Sequence, residues 1–113
     1  GIAAMKADQP IFRSERGLLA DGARDELMAS GCVAEVVGHF LDAQGRLVDH
    51  PINRRTIGLS FAELVQQNVL AVVAGAHKAA AIHAVLQSGL VDRLIIDAPA
   101  ADALERLAAE QPA

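Results

Sequence analysis

Lys78 stands three residues after Gly75, where an apolar run at residues 69–74 gives way to a helical pattern. The first amides of a helix lack intrahelical acceptors and carry partial positive charge, so they bind anions together with a nearby ammonium. The chain has two lysines against eight arginines, which makes a lysine at this turn noteworthy. The same pattern is also typical of an ordinary strand-to-helix turn with a solvent lysine, and the residues alone leave both interpretations open.

Glu35 is a carboxylate inside the valine-rich segment Val33–Leu41, which predicts one strand with two largely apolar faces. Period-2 alternation places Glu35 on the same face as Val33, Val37, His39 and Leu41. Desolvating a carboxylate is costly unless it is paired or hydrogen-bonded. Glu35 is therefore a candidate acceptor for ligand hydroxyls, or else a residue near a strand end that reaches solvent.

Loop arginines form a weaker set of candidates. Arg13 and Arg16 flank Ser14, and Arg54 and Arg55 follow Asn53. A guanidinium can clamp a phosphate with two hydrogen bonds, but more often it is a solvated charge, which the residues alone favour. The four histidines show no metal-ligand spacing with one another or with the cysteine, so the sequence predicts no metal site and no bound cofactor.

Composition excludes several classes of function for this segment. A net charge of −4 and an aromatic content of three phenylalanines argue against nonspecific nucleic-acid binding and against base stacking. A single cysteine excludes an internal disulfide and is consistent with a reducing compartment. No apolar run reaches the roughly 20 residues of a membrane helix, and we expect no signal peptide. We therefore expect a cytoplasmic protein without a membrane partner.

Strands and helices alternate along the second half of the chain. The pattern predicts strands at 69–74 and 91–96 and helices at 21–30, 60–67, 77–88 and from about 99 onward. It also predicts a loop over 1–20 and a turn at 42–45 followed by a short hairpin at 47–48. This order is typical of an α/β fold with parallel strands. Asp97 then shares one sheet edge with the Gly75–Lys78 turn, either as a ligand contact or as a helix cap.

The amino end carries no initiator methionine and begins Gly1-Ile2-Ala3-Ala4. It looks like the middle of a strand-to-loop transition. We therefore expect the chain to be a fragment of a longer protein.

Several short motifs occur in register with one known family. They are VAEVVGHFLDAQG at 33–45, RTIGLS at 55–60, VVAGAHKA at 72–79 and SGLVD at 88–92. Their order and spacing resemble the effector-binding domain of the SorC-type sugar-responsive transcriptional regulators over roughly residues 30–107. The family's double glycine is Gly75-Ala76 here, and Glu15 stands where glycine usually follows its arginine–serine pair.

The resemblance implies a parallel-sheet, Rossmann-like layered fold similar to sugar-phosphate isomerases and deaminases. It implies that residues 1–113 are the carboxyl-terminal part of an effector-binding domain that binds a phosphorylated sugar. It also implies that DNA binding resides in an amino-terminal helix-turn-helix outside this chain, and that the protein forms oligomers. By position, Lys78 would meet a phosphate or sugar oxygen at the turn that Gly75 begins. Glu35 would accept hydrogen bonds from sugar hydroxyls, and Arg13 and Ser14 would supply phosphate contacts.

Three functions compete on these grounds. The preferred hypothesis is a sensor in which ligand contacts shift an equilibrium between two regulator states, without catalysis. The second is a sugar-phosphate isomerase or CoA-transferase-like enzyme on a similar scaffold, with Glu35 as the general base. The third is an oligomerisation module that uses its alanine-rich helices as an interface.

Overall fold

The computed structural model describes residues 2–4, 22–54 and 58–110. Within these ranges the strands are Ile2–Ala4 (β1), Cys32–Val36 (β2), His39–Asp42 (β3), Leu70–Val73 (β4) and Arg93–Ile96 (β5). The helices are Ala23–Ala29 (α1), Pro51–Arg54 (α2), Phe61–Val65 (α3), Ala79–Gln87 (α4) and Ala98–Glu110 (α5), with a 3₁₀ turn at Ala76–Lys78. The fold is mixed α/β, with an antiparallel sheet β1-β2-β3 and a parallel pair β4-β5.

The segment predicted as one strand is a β-hairpin, so that prediction is wrong. Val37 and Gly38 have φ angles of 48° and 83° and form a two-residue turn between β2 and β3. Positive φ at both central positions matches the right-handed twist of antiparallel strands. The usual Asn-Gly or Asp-Gly signal is absent here because a valine takes the first position, and period-2 alternation continues through the turn unbroken.

The hairpin changes which residues share a face with Glu35. In register, Glu35 lies between Ala3 of β1 and Phe40 of β3, whereas Leu41 pairs with Ala34. Glu35 therefore shares its face with Phe40 and not, as predicted, with Leu41. The strand at Ile2–Ala4 also corrects the predicted loop, since this short apolar piece completes the sheet as a third strand.

Other local predictions are confirmed or extended. Asp42 accepts hydrogen bonds from the amides of Gln44 and Arg46 at 2.9 and 3.0 Å, which closes the predicted turn, and Leu47 then pairs back with Leu41. The predicted cap Asp21 lies outside the described residues, and Gly22 is the N-cap of α1. The polar stretch after Asp49 contains the helical turn α2, which was not predicted although proline suits a first helical position.

The predicted βαβ unit is present, since β4 and β5 pair in parallel with Val72 opposite Ile95. One face of this pair joins the main hydrophobic core with α4 and with Ala34 and Val36 of β2. A second, smaller core lies under α1 and contains Leu27 and Phe40. The opposite face of the parallel pair exposes aliphatic side chains. The helices α4 and α5 therefore cover only one side of it.

Replacing Ser60 with alanine should lower the free energy of unfolding by about 1 kcal/mol, because Ser60 caps α3. Its hydroxyl accepts from the Glu63 amide at 3.1 Å, and the Glu63 carboxylate accepts from the Ser60 amide at 3.1 Å. These bonds lower the pKa of Glu63. The Glu63 carboxylate therefore contributes to the free energy of unfolding above its ordinary pKa. This contribution is lost as the pH falls through the lowered pKa. Urea unfolding of wild type, Ser60→Ala and Ser60→Thr at about pH 7 and about pH 3 checks both effects, and wild-type stability in the alanine variant would contradict them.

Candidate functional site

The turn after β4 is shaped by Gly75, which adopts φ 109° and ψ 127°. The amide of Lys78 donates to the carbonyl of Gly75 at 3.1 Å and closes the 3₁₀ turn. The amides of Ala76 and His77 precede the first donor of this helical segment, the Lys78 amide, so they are its orphan donors. A side chain on Gly75 would meet the imidazole of His77 at 2.6 Å, so the glycine lets that ring fold back over the turn.

The ammonium of Lys78 faces the amino-terminal strand. Lys78 Nζ donates to the carbonyl oxygen of Ile2 at 3.1 Å, across 76 residues of sequence, and the lysine is half-buried. An ammonium has three N–H donors, so this bond leaves capacity for a further acceptor. Lys78 therefore links the turn to β1, a contact that the sequence did not indicate.

Asp97 joins the ends of two elements. Its two carboxylate oxygens accept from the amide of Gly75 at 3.2 and 3.3 Å, and one of them also accepts from the amide of Ala100 at 3.0 Å. The helix-cap interpretation of Asp97 is thus confirmed. The amide of Gly75 is committed to this carboxylate, so the donors that the turn offers to an anion are the amides of Ala76 and His77 and the ammonium of Lys78.

Glu35 lies in the middle of the three-stranded sheet and is 8% exposed. Its sheet face is the one shared by Ala3 and Phe40. Lys78 instead belongs to the turn that begins α4, and α4 contributes to the core formed with Ala34 and Val36. The structure therefore brings Glu35 and Lys78 to the same strand, β1, from different sides.

The structure adds little support for the loop arginines as phosphate contacts. Arg13 and Ser14 lie outside the described residues, as does Arg55. Arg54 forms an exposed salt bridge with Asp49 at 3.0 Å, which agrees with a solvated charge.

The structural role of Asn53 was not predicted from the sequence. Its carboxamide accepts from the amide of Phe40 at 2.9 Å and donates to the carbonyls of Phe40 and Val48 at 3.1 and 2.7 Å. Asn53 therefore braces β3 directly across from Glu35. The only sequence signal was an asparagine two residues after a helix-starting proline.

The buried side chain of His39 has structural surroundings. His39 Nε2 lies 2.9 Å from the carbonyl oxygen of Leu59, and its ring contacts Phe61 edge-on.

Over residues 2–4, 22–54 and 58–110, no group of three His, Cys, Asp or Glu side chains could hold a metal ion. In the same ranges no helix combines the length and apolarity needed to cross a bilayer.

Cys32 should react with maleimides at least about 100-fold more slowly in the native protein than in urea at about pH 8, because burial raises the pKa of its thiol to about 11. The folded state favours the neutral thiol, so the free energy of unfolding should decline as pH rises above the ordinary thiol pKa towards about 11. Timed labelling followed by mass spectrometry checks the first point. Equal rates in buffer and urea would contradict it.

Comparison with known proteins identifies the family to which the chain belongs. Residues 1–105 match the family model described as "Putative sugar-binding domain". The chain belongs to this sugar-binding domain family. It is 34% identical over 104 residues to the erythritol catabolism regulatory protein EryD of Brucella abortus (strain 2308), covering 92% of this chain and 32% of that protein.

Solved structures of the sugar-binding domain family have the same fold. The sugar-binding domain of a transcriptional repressor from Vibrio fischeri superposes with a TM-score of 0.83 at 28% identity, over 96% of this chain and 44% of that one. The full-length sorbitol operon regulator SorC of Klebsiella pneumoniae gives a TM-score of 0.75 at 21% identity, over 94% and 33%, and supports the fold alone. The chain thus spans about a third of the curated relative it matches and less than half of the Vibrio domain.

Proposed function

We propose that this chain is the sensing portion of a bacterial transcriptional regulator and that its effector is a phosphorylated sugar. The observation that carries the proposal is the half-buried Lys78, whose ammonium is held towards β1, at the turn that also carries the orphan amides of Ala76 and His77. Two amides and an ammonium at one turn form a donor set suited to a phosphate dianion. The match to a sugar-binding domain family supports a sugar as the remaining part of the ligand.

The phosphate would sit at the Gly75–Lys78 turn and share the Lys78 ammonium with Ile2. Asp97 limits where it can lie, because its carboxylate occupies the amide of Gly75 and repels an anion placed there. The phosphate is therefore expected on the Ala76 and His77 side of the turn. By family resemblance, Arg13 and Ser14 add further phosphate contacts.

Glu35 would receive the sugar end of the ligand. A carboxylate accepts hydrogen bonds from adjacent hydroxyls and distinguishes their configuration, and burial strengthens such bonds. Its position in the strand between β1 and β3 fixes the backbone that carries it. Because Glu35 and Lys78 reach β1 from different sides, one ligand would meet both only after β1 shifts; Lys78 is therefore the proposed phosphate contact, and Glu35 is a sugar contact by family resemblance alone.

Regulation would follow from the contact between Lys78 and Ile2. A ligand phosphate that draws the ammonium towards itself weakens the bond to β1, so ligand-bound and free states differ at this strand. A helix-turn-helix elsewhere in an oligomeric cytoplasmic polypeptide would translate that difference into operator affinity. The β4–α4–β5–α5 unit would belong to a larger Rossmann-like sheet of the isomerase and deaminase type.

Calorimetric titration of the natural polypeptide that contains this chain tests the proposal. The panel contains pentose, hexose and tetritol phosphates, the same sugars and polyols without phosphate, and inorganic phosphate. We expect one or a few phosphorylated members to bind at least about 100-fold more tightly than their free counterparts. Equal binding of free and phosphorylated forms, or chemical turnover of a bound phosphate ester, would overturn it.

A further inference from the structure

The two carboxylate oxygens of Asp97 have unequal partners. Oδ1 accepts from the amides of Gly75 and Ala100 at 3.2 and 3.0 Å. Over residues 2–4, 22–54 and 58–110, the one hydrogen bond of Oδ2 is a longer contact of 3.3 Å with the same Gly75 amide. An ionised carboxylate has about four lone-pair sites, and the side chain of Asp97 is on an exposed residue. Oδ2 therefore has capacity for a further hydrogen-bond donor.

The proposed phosphate position is close to this carboxylate. The phosphate is expected at the amides of Ala76 and His77, and Gly75, whose amide binds Asp97, directly precedes Ala76. Consecutive residues are about 3.8 Å apart and each hydrogen bond adds about 3 Å, so the two anionic groups would lie within roughly 10 Å. Screening by salt at that separation is incomplete, because the Debye length at physiological ionic strength is about 8 Å. The carboxylate therefore disfavours an anion that offers it nothing in return.

A phosphorylated sugar differs from a simple anion in carrying hydroxyl groups close to its phosphate. A hydroxyl donates to an ionised carboxylate, and such charge-assisted hydrogen bonds are stronger than neutral ones. Discrimination between two ligands is a difference between two affinities, so attraction of one and repulsion of the other act together. The side chain of Asp97 can supply both effects at one turn.

We propose that Asp97 is the specificity-determining residue of this site, with Oδ2 accepting from a ligand hydroxyl next to the phosphate ester. The charge of the same carboxylate disfavours anions that lack such a hydroxyl. This inference rests on the proposed function. Glu35 reaches β1 from a different side than Lys78, so Asp97 supplies the hydroxyl acceptor on the side of the turn.

The variant Asp97→Asn separates this role from the helix cap. Asparagine caps helices as well as aspartate does, and its single oxygen can keep both hydrogen bonds of Oδ1. Asp92→Asn is the matched control, because the Asp92 carboxylate accepts from the amide of Val69 at 2.7 Å at the amino end of the same strand pair. Strand β5 places the two carboxylates roughly 15 Å apart, which exceeds the Debye length.

Titration calorimetry of the natural polypeptide measures two ligands. One is the tightest phosphorylated sugar of the panel, and the other is ethyl phosphate, a dianion without a hydroxyl, added as its competitor. We expect Asp97→Asn to weaken the sugar phosphate roughly 3- to 10-fold and to tighten ethyl phosphate roughly 3- to 10-fold. Asp92→Asn should leave both affinities at the wild-type values. General damage to the site would weaken both ligands, so opposite shifts identify recognition of the hydroxyl.

Two results would overturn the role of Asp97. In the first, Asp97→Asn shifts both affinities in the same direction; in the second, their ratio stays within about twofold of wild type. Should the asparagine variant fail to fold, Asp97→Ser carries the same expectation, because serine also caps helices. A wild type that binds no phosphorylated sugar would overturn the proposed function and this inference with it. Binding with an unchanged ratio would overturn the role of Asp97 alone.

Discussion

Gly45→Ala should destabilise the protein by at least about 3 kcal/mol, on the order of a 10–20 °C fall in melting temperature. Gly45 has φ 80°, which costs an alanine about 1 kcal/mol. An added Cβ would also lie 2.5 Å from the carbonyl oxygen of Ala84 and 2.7 Å from the carbonyl carbon of Gln87, and it would overlap the amide of Ser88. These atoms belong to the end of α4 and cannot rotate away.

Gly31→Ala is the matched control for this prediction. Gly31 has φ 87°, but an added Cβ would meet nothing within 4 Å. The substitution should therefore cost only the backbone term of about 1 kcal/mol. Thermal and urea unfolding of both variants measures the difference. Equal losses for the two variants would show that the turn at residues 42–45 does not seat against α4.

Lys78→Ala should weaken sugar-phosphate binding by roughly 10- to 100-fold, the value of one charge-assisted hydrogen bond of about 1.5–3 kcal/mol. It should also lower stability by about 1 kcal/mol through loss of the bond to Ile2. Titration calorimetry with the tightest phosphorylated sugar of the panel measures the first effect. Unfolding in urea without ligand measures the second and separates the two.

Arg46→Ala is the control for charge. Arg46 is exposed in the turn after β3, and its substitution removes one cation without touching the proposed site. Its affinity for the ligand should equal that of wild type. If Lys78→Ala also binds as wild type does, the proposed role of Lys78 is wrong, even where its stability falls as expected.

The second half of the chain could be predicted from sequence because its signals are local. The capping box at Ser60 and Glu63, the glycine after α4 and the two apolar strands each depend on neighbouring residues only. The hairpin could not be predicted, because Val37 is a poor residue for a positive φ and alternation passes through it. Tertiary pairing with β1 overrides local preference there.

The position of Lys78 could be predicted from the sequence, but its contacts could not. A lysine at the end of a parallel strand was visible in the sequence, and the structure places it at the expected turn. Its bond to Ile2 joins residues 76 positions apart, and the bond from Gly75 to Asp97 spans 22. No spacing rule reports such distant contacts. Likewise, the hydrogen bonds between Asn53 and the backbone of Phe40 join residues 13 positions apart, so the structural role of Asn53 could not be predicted.

The turn residue Val37 also bears on how the sequence is constrained. A β-branched side chain in the left-handed region is strained by roughly 1–3 kcal/mol, and asparagine or glycine would fit the same bend with less penalty. Val37→Asn would therefore relieve the backbone strain at this turn. Valine instead keeps an exposed aliphatic side chain at the tip of the hairpin. The chain thus retains apolar surface there at the cost of backbone strain.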